Sequence, residues 1–234
     1  MSFISMFSVL GIALGVAAIV TVMSVMNGFQ SEIKNRMLDI LPHAKIMGLG
    51  NSLENRDALQ AMLIADKEVK SFSAFVSSEA LLLSSKEVSG IQFKGIDPQE
   101  PGSAQKLEGL MVQGQLSSMS KGSFNIILGK GLADDLKLSL GDSVTVMIPN
   151  SLISTMGVTP RLKRFNIVGF FETGVYEFDR NLAFTNLLDA QTLLQMPGKI
   201  SGMEIDFFDP KQSREMVRRI AIRSGGGFTV TDWT

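Results

Sequence analysis

The stretch Phe3–Met26, FISMFSVLGIALGVAAIVTVMSVM, contains no charged residue, and the first charge in the chain is Glu32. At about 1.5 Å per residue, a helix of this length is roughly 36 Å long, which exceeds the hydrocarbon core of about 30 Å. It is too long for the apolar core of a cleaved signal peptide, and no basic residues precede it. We therefore expect a transmembrane helix over residues 1–28.

The absence of Lys and Arg before this helix has two possible explanations. A helix with a cytoplasmic N-terminus normally follows basic residues. Either the N-terminus faces outward, or the sequence lacks a first segment. The helical period continues after the span through Phe29, Ile33, Met37 and Leu38, now mixed with charges, and Pro42 ends it. Residues 29–42 are therefore predicted to form a helical stalk.

One face of the transmembrane helix carries small residues. Gly11, Gly15 and Ala18 are spaced i, i+4, i+7. Small residues allow helix backbones to approach closely in lipid, so this face is predicted to pack against other helices. The alternative is that membrane helices simply tolerate glycine.

The rest of the chain, residues 43–234, is predicted to be one α+β domain, because strands and helices mix without a regular β-α-β repeat. The predicted strands are His43–Leu49, Ser71–Ser85, Ser89–Ile96, Asn125–Gly129, Asp142–Ile148, Arg164–Glu172, Leu182–Thr185, Gly202–Phe208 and Phe228–Thr231. The predicted helices are Glu54–Ala65, Lys130–Leu138, Leu187–Gln195 and Lys211–Arg223.

Composition excludes several kinds of chemistry. The 22 basic and 23 acidic residues nearly cancel, which argues against a nucleic-acid partner bound through a basic face. The absence of cysteine excludes disulfides and thiolate metal sites. The only histidine, His43, is expected at the surface or at a strand edge. We expect no cofactor and no metal.

No set of residues predicts catalysis. Gly129-Lys130-Gly131 lacks the upstream glycine and the Ser/Thr of a P-loop. Glu172, Glu177 and Asp179 are close enough in sequence for an acid/base pair. They surround a predicted hairpin at Gly174–Tyr176, so solvated turn carboxylates are the expected interpretation.

A loop of about 15 residues, 149–163 (PNSLISTMGVTPRLK), separates two predicted strands. Hairpin loops usually have two to five residues, and a long loop with apolar side chains is typical of a binding site. The alternative is a loop packed on its own domain. The candidate binding residues are Pro149, Leu152, Ile153, Met156, Gly157, Val158, Pro160 and Arg161.

Four segments resemble a known family. They are Val22–Phe29 (VMSVMNGF), Gly129–Ala133 (GKGLA), Leu140–Val144 (LGDSV) and Thr231–Trp233 (TDW). Together they are similar to the permease subunits of the lipoprotein-releasing ABC transporter, LolC and LolE, within the wider FtsX/MacB-like permeases. The resemblance covers essentially the whole chain and implies a MacB-like periplasmic domain behind the first transmembrane helix.

The resemblance also implies a function. Such permeases lie in the bacterial inner membrane, release acylated lipoproteins and pass them to a soluble periplasmic carrier, LolA. A separate subunit, LolD, hydrolyses ATP, so the permease is not itself an enzyme. A second permease subunit, either LolE-like or a copy of this chain, completes the transporter. Members also have a basic segment before the first helix and three more helices after the domain, so both ends of this sequence are expected to be truncated.

Two sets of site residues follow from the resemblance. In the LolC type a protruding hook recruits the carrier, and Met156–Pro160 (MGVTP) matches its position. An acyl-chain groove would be lined by Val22, Met26, Phe29 and Ile33, where adaptable methionine suits many cargoes. These residues alternatively face lipid or other helices. Two other functions stay open, namely a MacB-like exporter subunit and a singly anchored periplasmic binding module.

Overall fold

The computed structural model describes residues 3–40, 42–48, 50, 52–53, 56–85, 87–149, 153–154, 157–158, 160–223 and 228–232. The chain divides into two compact units, Met1–Leu41 and Pro42–Thr234. In the first, helix α1 (Phe3–Ile40) is continuous. Its segment Met6–Gln30 has a mean hydropathy of 2.5 and is long and apolar enough to cross a membrane.

The second unit mixes helices and strands, which confirms the predicted α+β class. Its described helices are α2 (Arg56–Ala65), α3 (Ser103–Leu110), α4 (Lys130–Asp135), α5 (Tyr176–Asn181), α6 (Leu187–Leu194) and α7 (Ser213–Arg223). Its described strands are β1 (Ala44–Gly48), β2 (Val69–Leu83), β3 (Val88–Ile96), β4 (Met111–Gly114), β5 (Asn125–Gly129), β6 (Ser143–Ile148), β7 (Ile153–Ser154), β8 (Gly157–Val158), β9 (Arg161–Phe171), β10 (Leu182–Asn186), β11 (Gly202–Phe207) and β12 (Phe228–Asp232).

The first and last strands of the domain belong to one antiparallel sheet, here called the terminal sheet. Its strand order is β12-β1-β11-β2, and every neighbouring pair is antiparallel. Helix α2 joins β1 to β2, and α7 joins β11 to β12, which makes a ferredoxin-like β-α-β-β-α-β arrangement. Buried residues of both helices, such as Leu63 and Val217, share a core with Ile46 and Ile205 of the sheet.

A closed barrel is inserted into this arrangement between β2 and β11. The strands pair in the ring β2-β3-β10-β5-β9-β6, and β6 pairs back with β2. Closure is possible because β2 is 15 residues long, so its first part pairs with β11 and its last part with β6. Apolar side chains at alternate positions fill the interior, with Phe93 and Phe165 in edge-to-face contact at 5.6 Å.

Helix α6 packs where the barrel and the terminal sheet meet. Asn186 caps its first turn by accepting a hydrogen bond from the Leu188 N–H at 3.0 Å. The helix lies so close to β3 that a Cβ on Gly95 would be 2.4 Å from the Cβ of Ala190. Glycine at position 95 therefore permits this packing.

Residues 97–124, here called the strap, leave β3 and cross the outer surface of the barrel. The strap contains α3, β4 and a 3₁₀ turn at Leu116–Ser118. Its apolar side chains, including Leu107 and Met119, form a second small core with Ile127 and Phe171 of the barrel strands. Helix α3 was not among the helices predicted from the sequence.

The predictions of barrel strands were the most accurate, and those of turns were the least accurate. Strand Asn125–Gly129 begins and ends as predicted. The hairpin predicted around Gly174–Tyr176 is wrong, because Tyr176–Asn181 forms α5. Strand β9 begins at Arg161, three residues earlier than predicted, since it continues pairing with β6 as far as Ile148.

Candidate functional site

The predicted binding loop contains a small antiparallel hairpin. Strands β7 and β8 pair through Ile153 with Val158 and Ser154 with Gly157. The hairpin lies in the connection between β6 and β9, two neighbouring strands of the barrel. Two of the predicted hook residues, Leu152 and Met156, lie outside the described residues.

The base of this hairpin is fixed to the barrel. Pro149 and Pro160 flank it and are exposed. Arg161 is half-buried, and its Nη1 donates a hydrogen bond to the Leu194 carbonyl oxygen at 2.5 Å. A cation suits that position, because the last carbonyls of α6 carry partial negative charge. Arg161 therefore anchors the base of the hairpin.

An apolar row on the outer wall of the barrel continues from this base. Leu81, Met147 and Leu162 are direct neighbours across β2, β6 and β9. The alternate residues of these strands point into the barrel, so the row faces outward. Leu162 is 54% exposed, and Arg164 is exposed two residues further along β9. Apolar surface with an adjacent cation is typical of a protein-binding site.

The predicted groove and packing residues all lie on α1. Val22, Met26 and Phe29 have exposed side chains, and Ile33 continues the same helix. Their i, i+4, i+7, i+11 spacing places them on one face. Gly11, Gly15 and Ala18 are also helical, and apart from the backbone of α1 itself no described atom lies within 4 Å of a Cβ placed on either glycine.

A cluster of buried charges lies on the terminal-sheet face opposite α2 and α7. Glu204 of β11 accepts hydrogen bonds from Lys94 Nζ at 2.7 Å to each carboxylate oxygen, and Lys45 Nζ lies 3.4 Å from Oε1. The Ser103 hydroxyl of α3 donates to Oε2 at 2.6 Å. Because the Ser103 hydroxyl has one proton and donates it to Glu204, the Ser73 hydroxyl must be the donor in its 2.6 Å hydrogen bond with Ser103.

A second carboxylate, Asp206, extends this cluster towards the start of β1. It accepts hydrogen bonds from Lys106 Nζ of α3 at 2.6 Å and from the Ser71 hydroxyl at 3.2 Å. The backbone N–H of His43 also donates to it at 3.3 Å. We refer to Lys45, Lys94, Lys106, Glu204 and Asp206, with Ser71, Ser73 and Ser103, as the charge cluster.

The expectation that His43 lies at the surface or at a strand edge is wrong. It is buried directly before β1, and its Nδ1 accepts a hydrogen bond from the Phe207 N–H at 3.0 Å. Burial lowers the pKa of His43, against the opposing effect of Asp206, while Lys106 and Lys70 lower it further. His43 thus holds the first strand of the domain against β11 as a neutral acceptor.

The charges of the cluster determine how its groups titrate. Burial alone would raise the pKa of Glu204, but Lys94 and Lys45 outweigh burial and lower it to about 2. Burial lowers the pKa of Lys94, and the contact with Glu204 opposes this effect. Glu204 therefore remains an anion over the whole physiological range.

The acidic group around Gly174 is structural. Glu172 and Glu177 are exposed, as expected for turn carboxylates, but Asp179 is buried, which corrects the prediction for that residue. Its carboxylate accepts from the Thr173 N–H at 2.7 Å, the Thr173 hydroxyl at 2.8 Å and the Gly174 N–H at 3.1 Å. It fastens the turn that leads into α5.

Gly129 and Gly131 of the Gly-Lys-Gly segment pack against α5. A Cβ on Gly129 would be 2.2 Å from the Asp179 carbonyl oxygen, and one on Gly131 would be 3.2 Å from it. The two glycines therefore make room for α5. Within the described ranges, no group of three or more His, Asp or Glu side chains is arranged to hold a metal.

The charge cluster was not predicted from the sequence, although the strand sequences contain a feature that indicates it. Glu204 and Asp206 alternate with apolar residues in GMEIDF, so both side chains point to one face of β11. Lys94 is a similar interruption in β3. A charge inside an otherwise buried strand indicates a partner nearby, because burying an unpaired charge is costly.

The fold is a barrel inserted into a ferredoxin-like sheet, and in the sequence this domain follows a helix that is long and apolar enough to cross a membrane. Residues 5–224 match the family model for the MacB-like periplasmic core domain. The chain therefore belongs to the MacB-like periplasmic core domain family.

Sequence relatives carry more specific names. The chain is 37% identical to the lipoprotein-releasing system transmembrane protein LolC of Neisseria meningitidis, covering 100% of this chain and 57% of that protein. It is 36% identical to LolC of Xylella fastidiosa, covering 100% and 56%. LolE of Haemophilus influenzae is 30% identical, covering 91% and 52%. The chain thus spans little more than half the length of these curated relatives.

Solved structures agree on the fold. The extracellular domain of the ABC-type transporter YknZ from Gram-positive bacteria superposes with a TM-score of 0.52 at 16% identity, covering 82% of this chain and 99% of that one. The periplasmic region of MacB from Actinobacillus actinomycetemcomitans gives 0.52 at 13% identity, covering 84% and 91%.

Proposed function

We propose that this chain is part of a permease subunit of a transporter that releases acylated lipoproteins from the bacterial inner membrane. The observation that carries the proposal is the 36–37% identity to LolC proteins over the whole chain. The presence of both a long apolar helix and a MacB-like domain supports it.

The proposed organisation assigns residues 1–28 to the first transmembrane helix and 29–42 to a stalk. Residues 43–234 form the periplasmic domain. The continuous helix to Ile40 and the start of the compact domain at Pro42 support these boundaries. In this proposal the complete protein crosses the membrane several times.

The proposed partners follow from the same function. A separate LolD-like subunit hydrolyses ATP, so this chain binds and moves cargo without catalysis. A second permease subunit, LolE-like or a copy of this chain, contacts α1. The face with Gly11, Gly15 and Ala18 suits that contact, because small residues allow close packing in lipid.

The hairpin of β7 and β8 is the proposed hook for a LolA-like carrier. Its flanking prolines are exposed, and Arg161 anchors its base to α6. The row of Leu81, Met147 and Leu162 offers the carrier an apolar surface beside it. The hook residues Leu152, Ile153, Met156, Gly157 and Val158 remain proposals for direct contact.

Pro160→Asp should weaken carrier binding in a pulldown while leaving the domain folded, because a charge would enter an apolar contact. Met156→Asp should act in the same way. A matched control is Ile222→Asp, since Ile222 is 74% exposed on α7, far along the chain from the hairpin. Undiminished binding by both hook variants would remove the hook assignment.

The acyl-chain groove is proposed along Val22, Met26, Phe29 and Ile33. A photo-reactive side chain at position 26, in intact membranes containing the complete transporter, should capture acylated lipoproteins. The same group at Leu14 is a control on the same helix, since Leu14 is 63% exposed but outside the groove. Capture of soluble substrates instead would favour a MacB-like exporter.

A further inference from the structure

The domain has two parts, the terminal sheet and the barrel, which share the long strand β2 and one apolar core. The terminal sheet contains both chain ends of the domain, because Ala44 of β1 pairs with Asp232 of β12. The hairpin of β7 and β8 belongs to the inserted barrel. A movement applied to the chain ends of the domain acts first on the terminal sheet. It reaches the hairpin only if the barrel moves together with that sheet.

At its α3 end the strap contacts the terminal sheet through polar groups, beside the second core, which includes Phe75 of β2. From α3, Ser103 bonds Glu204 and Ser73, and Lys106 bonds Asp206. Just before α3, a Glu100 carboxylate oxygen accepts from the Ala74 N–H at 3.0 Å. All four of these partners belong to β2 and β11 of the terminal sheet.

The other end of the strap is fixed to the barrel and to α6. Leu107 and Met119 pack in the second core against Phe171. The Asp189 carboxylate accepts from the Gly122 N–H at 2.7 Å and from the Phe124 N–H at 2.9 Å. Phe124 has a φ of 48°, which these hydrogen bonds help to hold.

We propose that the strap is a brace, in which Ser103 and Lys106 are positioning residues that set the angle between the terminal sheet and the barrel. Apolar contacts are non-directional and tolerate small rotations, whereas buried, charge-assisted hydrogen bonds are short and directional. Lys94 reinforces the brace, because it reaches from β3 of the barrel to Glu204 of the terminal sheet.

Under the proposed function, on which this part of the inference rests, the brace makes the hairpin move rigidly with the chain ends. The permease would then present the hook to its carrier in step with movements of the membrane helices. Ser103 and Lys106 touch neither carrier nor cargo in this scheme, and they act only by holding the barrel.

The first test measures the angle itself and needs no transport activity. Spin labels at Val88→Cys in the barrel and Ile222→Cys on α7 occupy exposed positions, and residues 1–234 contain no other cysteine. Any cysteine elsewhere in the full-length protein is first replaced by serine. In the full-length protein in lipid nanodiscs, double electron–electron resonance should give one narrow distance distribution. Lys106→Met and, separately, Asp206→Asn should broaden and shift it.

The matched control is Lys70→Met, because Lys70 is an exposed lysine on β2 outside these hydrogen bonds. It should leave the distance distribution unchanged. Hydrogen exchange of β5 in the barrel core confirms that each variant is folded. Folded Lys106→Met and Asp206→Asn variants with the original narrow distribution would overturn the proposal.

The second test replaces the polar brace with a covalent one. The hydroxyl oxygens of Ser73 and Ser103 are 2.6 Å apart, so thiols at these positions lie within reach of a disulfide of about 2.05 Å. The oxidised Ser73→Cys/Ser103→Cys pair should restore lipoprotein release to the Lys106→Met variant, and reduction should remove the rescue.

The outcomes of the two tests distinguish failure of the brace from failure of the proposed function. If oxidation stops release in an otherwise unchanged chain, the strap must detach during the cycle, and the rigid brace is wrong. If the unchanged chain releases no lipoprotein at all, the proposed function fails, while the distance measurements still decide whether the strap is a brace.

Discussion

The interior of the barrel and the charge-cluster face of the terminal sheet are both buried, but they are built differently. The barrel is filled by apolar side chains such as Phe93, Phe165 and Val146. Its buried Thr185 hydroxyl is paired with the Asn125 carbonyl oxygen at 2.8 Å. The terminal-sheet face instead buries Glu204 and Asp206 among lysines and serines.

This difference indicates that the barrel interior mainly stabilises the domain, whereas the charge cluster mainly positions its parts. Burial of apolar surface supplies most of the favourable free energy of folding, and it depends mainly on area. A buried ion pair adds little net stability, because desolvation offsets its attraction, but removing one partner is costly. We therefore expect variants in the barrel to change stability most, and paired replacements in the charge cluster to change stability least.

Phe93→Ala should have the largest effect. The side chain is fully buried in the barrel and contacts the Phe165 ring, so its removal should lower the free energy of unfolding by about 3–5 kcal/mol. Denaturant unfolding followed by circular dichroism measures the loss. Leu162→Ala is the control and should change it by less than about 1 kcal/mol, because Leu162 lies half exposed on the outer wall. Equal losses would mean that the barrel is not the main core.

Glu204→Gln should be nearly as destabilising, by about 3 kcal/mol, because Lys94 would lose its buried counter-charge. The double variant Lys94→Met/Glu204→Leu should recover most of that loss in the same unfolding experiment. Glu79→Gln, an exposed carboxylate on β2, is the control. A double variant less stable than Glu204→Gln would show that the pair contributes net stability.

Acid should weaken the domain through the same residue. The pKa of Glu204 is lowered from 4.5 to about 2 on folding, so between these values the unfolded chain binds more protons than the folded one. The contribution is complete above pH 4.5 and is lost as the pH falls to about 2, amounting to at most about 3 kcal/mol. Unfolding curves recorded between about pH 6 and about pH 2 measure this contribution, because the slope of the free energy of unfolding against pH gives the difference in bound protons between the two states. In Glu204→Gln this part of the pH dependence should disappear, and an unchanged slope would contradict the assignment.

Asp179→Ala should have the smallest effect among the destabilising single replacements, about 2 kcal/mol, because the turn before α5 would lose three hydrogen bonds to its carboxylate. Thermal unfolding measures the change. Glu177→Ala, an exposed carboxylate two residues earlier, should be within about 0.5 kcal/mol of the unchanged chain. Equal effects would restore the prediction that both are solvated turn residues.

The same contrast explains what the sequence could predict. Most of the barrel strands were predicted from the sequence, and a strand with one buried face, such as β6, alternates apolar and polar residues. The length and lack of charge of Phe3–Met26 identified the long apolar helix. Helix α3 escaped detection, because its buried side makes polar contacts through Ser103 and Lys106 as well as apolar ones.

Long-range partners were beyond the reach of local patterns. His43 and Phe207, Lys94 and Glu204, and Asp189 and Gly122 are each separated by more than 60 residues. Only the topology brings them together. The hairpin loop was predicted from its length and composition, but the anchoring of its base by Arg161 depends on where α6 ends.

The most direct test of the account is release of an acylated lipoprotein from membrane vesicles containing the complete transporter encoded with this chain. We expect ATP and a LolA-like carrier together to move the lipoprotein into the soluble fraction. A version of the same protein without acyl chains should not be transported. Release that ignores the acyl chain, or none with every component present, would contradict the proposed function.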